Sequence, residues 1–526
     1  MRRIAWCVLA AVALLLPATP GGGERQRLEA HRPSDPDPGR TLRIGVTRVP
    51  TLDPALSRSP DQVLVSDQLF DSLTRLDPAT LEAAPSLAER WAASPDQRVW
   101  DFTLRPGARF SNERPITAAD VKYTLERIAR PGSGSPAADQ LQLVSGYDPF
   151  RKGTAPALAG VSVPAPNVVR IAVDQPWAVL PTVLTSPLFG VVARESAEAP
   201  APGPSITDAP VTSGPFRIAR QRGATLSLVP APGTKTSLEG VNVVRFDVVT
   251  VAYEAFRNGD LDFTRVPGDE VTDAARRYGR GAFRPYLVEL FYGFNMKSPK
   301  FADARFREAI VRGVNRRALV RAIYQGTVRP IDSTVIEGVL GYQEEACPRC
   351  SYDPAAARAL LAQAFKGAPP PPISLDYEDD VTENAIAKAI QASLGEVGVT
   401  VVPRPRAGRD HDAFILSGEG EVFRTGWLAD YPSADAILPP LFASESPDNL
   451  TGFANPGVDA QLRAARAEAN PARRVELYKQ ADRTVMDQLP VLPIAQFNLH
   501  SVVSKRVEGL RLDSYGSFEA TAVRVD

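Results

Sequence analysis

Cysteine and histidine are scarce in this chain, with three of each in 526 residues. A zinc centre needs three or four Cys, His or carboxylate ligands at set spacings, and His31, His411 and His500 stand far apart with none paired at ligand spacing. Cys7 lies inside an apolar N-terminal run. Cys347 and Cys350, in "EACPRCSYDP", have no second ligand pair, and in an exported chain they read as a small structural disulfide pinning a loop. Net charge is scarce too. The 60 basic residues almost cancel the 61 acidic ones, so no summed field would hold the protein on nucleic acid or on an anionic membrane. The apolar run from Ile4 to Leu16 falls short of the ~20 residues a membrane-crossing helix needs.

Catalytic signatures are missing as well. There is no GxSxG elbow, no HExxH, no P-loop and no GxGxxG between a strand and a helix. "RDHDAF" gathers Asp410, His411 and Asp412, but its flanks read as a solvated strand entrance. No enzyme activity, cofactor or metal is expected. No repeat of 20 to 50 residues points to a solenoid or propeller.

What the sequence does carry begins with Arg2 and Arg3, the apolar run, Pro17, Ala18 and a glycine-rich stretch. This is the pattern of a secretory signal, taken as residues 1–23, and it favours export over anchoring. Residues 24–40 hold almost no large apolar side chain and read as a disordered spacer. The remaining length suggests about three domains at ~150 residues each.

Strand-like runs alternate irregularly with helices, which makes the fold class mixed α/β. "VWDFTLRPGARF", "NVVRIAVD", "GPFRIARQRGATLSLVP" and "VNVVRFDVVTV" read as strands, with a hairpin turn at Arg222 and Gly223. Helix starts are marked by Thr117 with Asp120 three residues on, by Asp353 before Pro354, and by Asn470 before Pro471. Ile386, Ile390 and Leu394 form one helical stripe before a strand, half of an α/β unit.

The stretch "LTRLDPATLEAAPSLAERWAASPDQRVWDFTLRPGARFSNERPITAADVKYTLERI" closely resembles the signature region of the family 5 extracellular solute-binding proteins, the peptide and oligopeptide receptors of ABC importers. The likeness continues through "TLRIGVTRVPTLDPA", "GPFRIA", "FYGFNMKSPKFADARFREAIVRGVNRRALVRAIYQG", "YDPAAARALLAQA" and "GWLADYP", in family order from residue 41 onward. The resemblance implies the two-lobe, type II periplasmic-binding-protein-like fold with an extra domain inserted in the first lobe. Carried onto this chain, lobe I takes 41–72, 210–293 and 492–526, the inserted domain 73–209 and lobe II 294–491, with a hinge near "ELFYGFN" and "LPVLPI". It also implies a monomer that closes on a peptide or other small solute and docks on membrane permease subunits.

In "GWLADYPSADAILPP", Asp430 stands between Trp427 and Tyr431 with no basic residue for a dozen positions downstream. A carboxylate desolvated by aromatic neighbours is costly unless paired, and a ligand can bring the missing charge. In peptide-binding relatives the aspartate of this pattern grips the ligand's α-ammonium, and Asp430 is the residue that matches. Trp427 would supply a wall, with Tyr431 beside it and Tyr292 in the hinge strand as a further contact. Arg424 matches an arginine that meets a ligand carboxylate in oligopeptide receptors. An extended "VFRTGWLAD" would put it on the same face as Asp430, roughly 20 Å away, a span suited to a short oligopeptide. The same scaffold could instead hold a metal chelate, a sugar or an opine, or serve signalling rather than import; a secreted hydrolase is the least supported reading.

Overall fold

The computed structural model describes residues 39–47, 51–199, 206–207 and 209–526. The expected signal peptide and all but the end of the spacer, with Cys7 and His31, lie outside those residues. Among the described residues no helix is long and apolar enough to cross a membrane.

Three sheets organise the chain. The first has six strands in the order Ser501–Val503, Phe263–Arg265, Thr41–Val46, Gly240–Arg245, Thr225–Pro230 and Phe216–Arg222. Thr41–Val46 runs parallel to Gly240–Arg245 although nearly two hundred residues separate them, with Ile44 opposite Val243. The last two strands form the expected hairpin, and Gly223 turns it in the left-handed region at φ 57°, where a residue without Cβ pays little. Between Thr41–Val46 and this hairpin the chain builds an antiparallel sheet of four strands, Ala88–Ala93, Val99–Leu104, Val168–Ala172 and Val161–Ala165. The helix Ala118–Ala129 covers it with Val121, Leu125 and Ile128, and the Asp120 carboxylate closes its N-terminus on the Thr117 amide at 2.9 Å.

The second six-stranded sheet has the order Val328–Pro330, Val491–Leu499, Arg284–Phe294, Val422–Leu428, Ile373–Glu378 and Val401–Arg406. Ile373–Glu378 and Val401–Arg406 are parallel and are joined by the helix Val381–Glu396, which buries the Ile386, Ile390 and Leu394 stripe. Helices Pro354–Ala364 and Pro471–Gln488 start where the sequence marks them, with the Asp353 and Asn470 side chains accepting the first free amides. Each such cap is worth about 1 kcal/mol. Cys347 and Cys350 are disulfide-bonded just before the first of these helices.

The two six-stranded sheets are joined by adjacent strands. Arg284–Phe294 lies antiparallel to Val491–Leu499, and the latter passes through His500 alone before entering Ser501–Val503 of the first sheet. One apolar cluster runs from the four-stranded sheet (Trp100, Phe102, Ile171) into the second six-stranded sheet (Leu290, Phe294, Leu375), whereas the first sheet keeps a separate cluster around Leu42, Ile44 and Val241.

Two strand expectations are corrected, one in part and one in full. "VNVVRFDVVTV" is a strand only to Arg245, and its second half opens the helix Val249–Arg257. The buried residues there, Ala252, Tyr253 and Phe256, fall on one helical face, a spacing that a short apolar run masks. "RDHDAF" lies in the helix Gly408–Ser417, where His411 is buried and its Nε2 meets the Arg424 carbonyl at 2.9 Å.

Candidate functional site

The stretch around Asp430 is shaped by the end of a strand. Val422–Leu428 pairs antiparallel with Arg284–Phe294, and Ala429 adds one more bond, its amide donating to the Leu287 carbonyl at 2.8 Å. There the chain leaves the sheet, so Asp430 is not on an extended strand and shares no strand face with Arg424. Asp430 is half-buried, and its Oδ1 accepts from Gln140 Nε2 at 3.1 Å. Gln140 comes from a short turn, Ala138–Leu141, that packs on the helix Ala118–Ala129. A third chain region arrives from the C-terminal tail. Tyr515 shares a 3.0 Å hydrogen bond with Thr185 Oγ1, and its hydroxyl feels the charges of Asp513, Asp430 and Asp67. Ser514 Oγ donates to the Gly338 carbonyl at 3.2 Å, which ties that tail to the second six-stranded sheet unit.

Five residues beyond Asp430, Asp435 is fully buried and fully satisfied. Its Oδ1 accepts from Arg466 Nε at 2.8 Å and the Tyr478 hydroxyl at 2.6 Å, and its Oδ2 from the Tyr431 hydroxyl at 2.8 Å and Trp177 Nε1 at 3.1 Å. Burial alone would raise this carboxyl, but Arg466 and the hydroxyl donors outweigh burial and hold it below its ordinary value. Trp177 belongs with the four-stranded sheet and the other donors with the second six-stranded unit, so Asp435 joins the two. A cavity of about 190 Å³ lies beside this joint, between Trp91 and Trp100 on one side and Ser433, Arg474 and Tyr478 on the other. Asp430 is not among its lining residues.

The remaining expected contacts sit deeper than anticipated. Arg424 pairs in register with Tyr292, and Trp427 with Glu289. The odd offset puts the two pairs on opposite faces of the sheet. Arg424 is 5% exposed and its guanidinium is committed to Glu383 of the helix Val381–Glu396, Nε to Oε1 at 2.9 Å. This corrects the expectation of an arginine facing a ligand: the sheet turns it into the core. Tyr292 is 0% exposed on the same face, and its hydroxyl has no hydrogen-bond partner among the described residues. It too is packing rather than a surface contact. Trp427 is buried with Nε1 on the Ala436 carbonyl at 2.7 Å, and Tyr431 is turned to Asp435.

Beside Trp427 on its face lies Glu289, 1% exposed, both carboxyl oxygens without a hydrogen-bond partner among the described residues. Burial pushes it well above its ordinary value, and the charge of Asp482 adds to the rise. The folded chain therefore keeps a proton that the unfolded chain releases above its ordinary value near 4.5. The stability tied to that proton is fully present below pH 4.5 and is lost as pH rises toward the folded-state value. Glu289→Gln removes this dependence. The variant is expected to match wild type near pH 4.5 and to exceed it at pH 8 by about 1–3 kcal/mol, measured by urea denaturation at both pH values; equal stabilities at pH 8 would show Glu289 ionised at no cost.

Sequence reasoning missed Gln140, Asp435, Tyr515, Asp67 and Asp513. Asp435 lies within the quoted stretch, but its partners are up to 258 residues away, and no local pattern announces the others. The arrangement offers acceptors and buried carboxylates with no recognisable nucleophile, and among the described residues no group of three or more His, Cys, Asp or Glu is placed to hold a metal ion.

The model of the bacterial extracellular solute-binding proteins, family 5, matches residues 82–449. The chain is 25% identical over 498 residues to "Di/tripeptide-binding protein 2" of Pseudomonas aeruginosa (strain UCBPP-PA14), covering 87% of this chain and 89% of that protein. It is also 25% identical over 485 residues to the "Dipeptide-binding protein" of Escherichia coli (strain K12), with the same coverage of 87% and 89%. Among solved structures, "MppA Periplasmic Murein Tripeptide Binding Protein, Unliganded Open Form" superposes with a TM-score of 0.83 at 23% identity, over 93% of this chain and 98% of that one.

Proposed function

Because this chain belongs to family 5 of the bacterial extracellular solute-binding proteins, we propose that it captures short peptides outside the cytoplasm and hands them to the permease of an ABC importer. The relatives named for dipeptide and di/tripeptide binding support peptides as the ligand class. In this reading lobe I is residues 41–72, 210–293 and 492–526, lobe II is 294–491 and the inserted domain is 73–209. The paired strands Arg284–Phe294 and Val491–Leu499 are the hinge. A ligand that touches both lobes only when they are closed stabilises the closed form, and that form docks on the permease. The protein acts as a monomer, exported by the signal pattern at residues 1–23.

The observation that carries the reading is Asp430, a half-buried carboxylate that accepts a hydrogen bond from Gln140 on the other side of the interlobe junction. Its role is to take the α-ammonium of the peptide as a charge-assisted hydrogen bond. Trp427 and Tyr431, tied to the Ala436 carbonyl and to Asp435, hold the 427–435 segment in shape and act as positioning residues.

Isothermal titration with a pool of tri- to pentapeptides tests the proposal. Wild type is expected to release or absorb binding heat, and Asp430→Ala to weaken binding by about 2–3 kcal/mol, roughly 30- to 150-fold. Heat that is unchanged in the variant would remove Asp430 from the site, and no heat with any pool would remove the peptide.

A further inference from the structure

The cavity of about 190 Å³ beside the Asp435 joint has on its wall an arginine whose bonds the fold leaves half made. Arg474, in the first turn of the helix Pro471–Gln488, is half-buried, and its Nη1 donates to the carbonyls of Glu468 at 2.9 Å and Ala469 at 3.5 Å. Among the described residues its Nε and Nη2 have no acceptor, and no carboxylate lies within ion-pair distance of it. The neighbouring acids are committed elsewhere: Glu468 pairs with Arg473 at 3.2 Å and Asp435 with Arg466 at 2.8 Å. Burial pulls the Arg474 guanidinium below its ordinary value, against the opposing charges of Tyr478 and Asp435. A guanidinium held partly out of water without a counter-ion is unfavourable. A carboxylate relieves it, because its two oxygens match the Nε–Nη2 edge with two parallel hydrogen bonds.

The rest of the lining has the same preference. The first turn of this 18-residue helix faces the cavity with Pro471, Arg474 and Val475, and the positive end of the helix dipole favours an anion there. Thr182 and Ser433 bring hydroxyl groups from the two sides. The wall opposite Arg474 is aromatic: Trp91 is half-buried, and Trp100 spends its Nε1 on the Gln97 carbonyl at 3.3 Å, so it offers ring surface to the cavity. Glu82, exposed to solvent, is the one acidic lining residue among those described. The volume is below the ~300–1,000 Å³ of sites for drug-sized molecules. It suits a single-ring acid better than a peptide.

We propose that this cavity is a second ligand site, for a small aromatic carboxylic acid: the carboxylate lies on the Nε–Nη2 edge of Arg474 and the flat apolar body lies against Trp91 and Trp100. The site is separate from the peptide site, since Asp430 does not line it. Trp91, Trp100 and Thr182 belong to the four-stranded-sheet region, whereas Ser433, Arg474 and Tyr478 belong to the second six-stranded unit. A bound acid therefore spans the joint that Trp177 and Asp435 make. Binding to the joined form alone raises the melting temperature by mass action.

Isothermal titration of the full chain with phenylacetate and with phenylacetamide, its uncharged counterpart, tests the site. Phenylacetate is expected to bind at least tenfold more tightly than the amide and to raise the melting temperature. Arg474→Gln keeps a donor for the Glu468 carbonyl and is expected to bring phenylacetate down to the amide's value, while Arg474→Lys, which keeps the charge and loses the fork, falls between. Thermal melting checks that both variants fold, and the comparison of acid with amide in wild type decides the matter without them. Glu82→Gln is expected to tighten phenylacetate binding, because it removes a like charge. Equal binding of acid and amide, no heat with either, or an acid preference that survives Arg474→Gln would overturn the proposal. Weaker phenylacetate binding in Glu82→Gln would overturn it too, since a carboxylate ligand gains nothing from a neighbouring acid.

Discussion

Asp435→Ala is expected to lower the unfolding free energy by about 3–5 kcal/mol, the range for breaking a buried ion pair by removing one partner. The variant strands Arg466, which is half-buried and draws its raised affinity for its proton from this carboxylate against the pull of burial. It also orphans the buried hydroxyls of Tyr431 and Tyr478 and the Trp177 indole. Trp177→Phe removes one of the four donors and leaves a smaller ring, so its cost should be about 1 kcal/mol for the hydrogen bond plus that of the void, still below the cost of Asp435→Ala. Urea denaturation of the three proteins checks the ordering. Because Trp177 and Asp435 join the four-stranded sheet to the second six-stranded unit, the alanine variant should also open the 177–179 region to limited proteolysis before the global transition. A loss near 1 kcal/mol for Asp435→Ala would mean that the four bonds are individually weak or that water replaces them.

Arg424→Ala should cost a similar 3–5 kcal/mol, because Glu383 is 1% exposed, its Oε2 has no hydrogen-bond partner among the described residues, and burial pushes its carboxyl up even with Arg424 present. The double variant Arg424→Met with Glu383→Leu should recover most of that loss, since an apolar pair of similar volume pays no desolvation. This experiment also separates two roles for the arginine. If Arg424 is a core ion-pair partner, the double variant binds peptide as wild type does. A fall of tenfold or more in affinity, with stability recovered, would return Arg424 to the ligand. The sheet register argues for the first outcome, because Arg424 and Trp427 project from opposite faces.

The local grammar of the chain was legible wherever a short-range rule governs it. Thr117 with Asp120, Asp353 with Pro354 and Asn470 with Pro471 each start a helix because the acceptor and the amide it serves are two or three residues apart. The Arg222–Gly223 hairpin and the Ile386, Ile390 and Leu394 stripe are of the same kind. Short apolar runs were not: "VVTV" in "VNVVRFDVVTV" joins a helix because Tyr253 and Phe256 find a core beneath it, which period alone does not disclose.

For the site, sequence by itself placed Asp430 between Trp427 and Tyr431 but on an extended strand, which the structure ends at Leu428. Only the tertiary structure decided which distant groups each of two aspartates five residues apart would meet. Asp435 meets Arg466 and Trp177, and Asp430 meets Gln140, through contacts 31, 258 and 290 residues apart. Packing against distant elements chooses such partners, and the same packing turned Arg424 inward and drew Asp67, Asp513 and Tyr515 to one junction. A chain encodes short-range hydrogen bonds in its spacing, whereas the pairing of buried charges depends on which surfaces come together when the sheets pack.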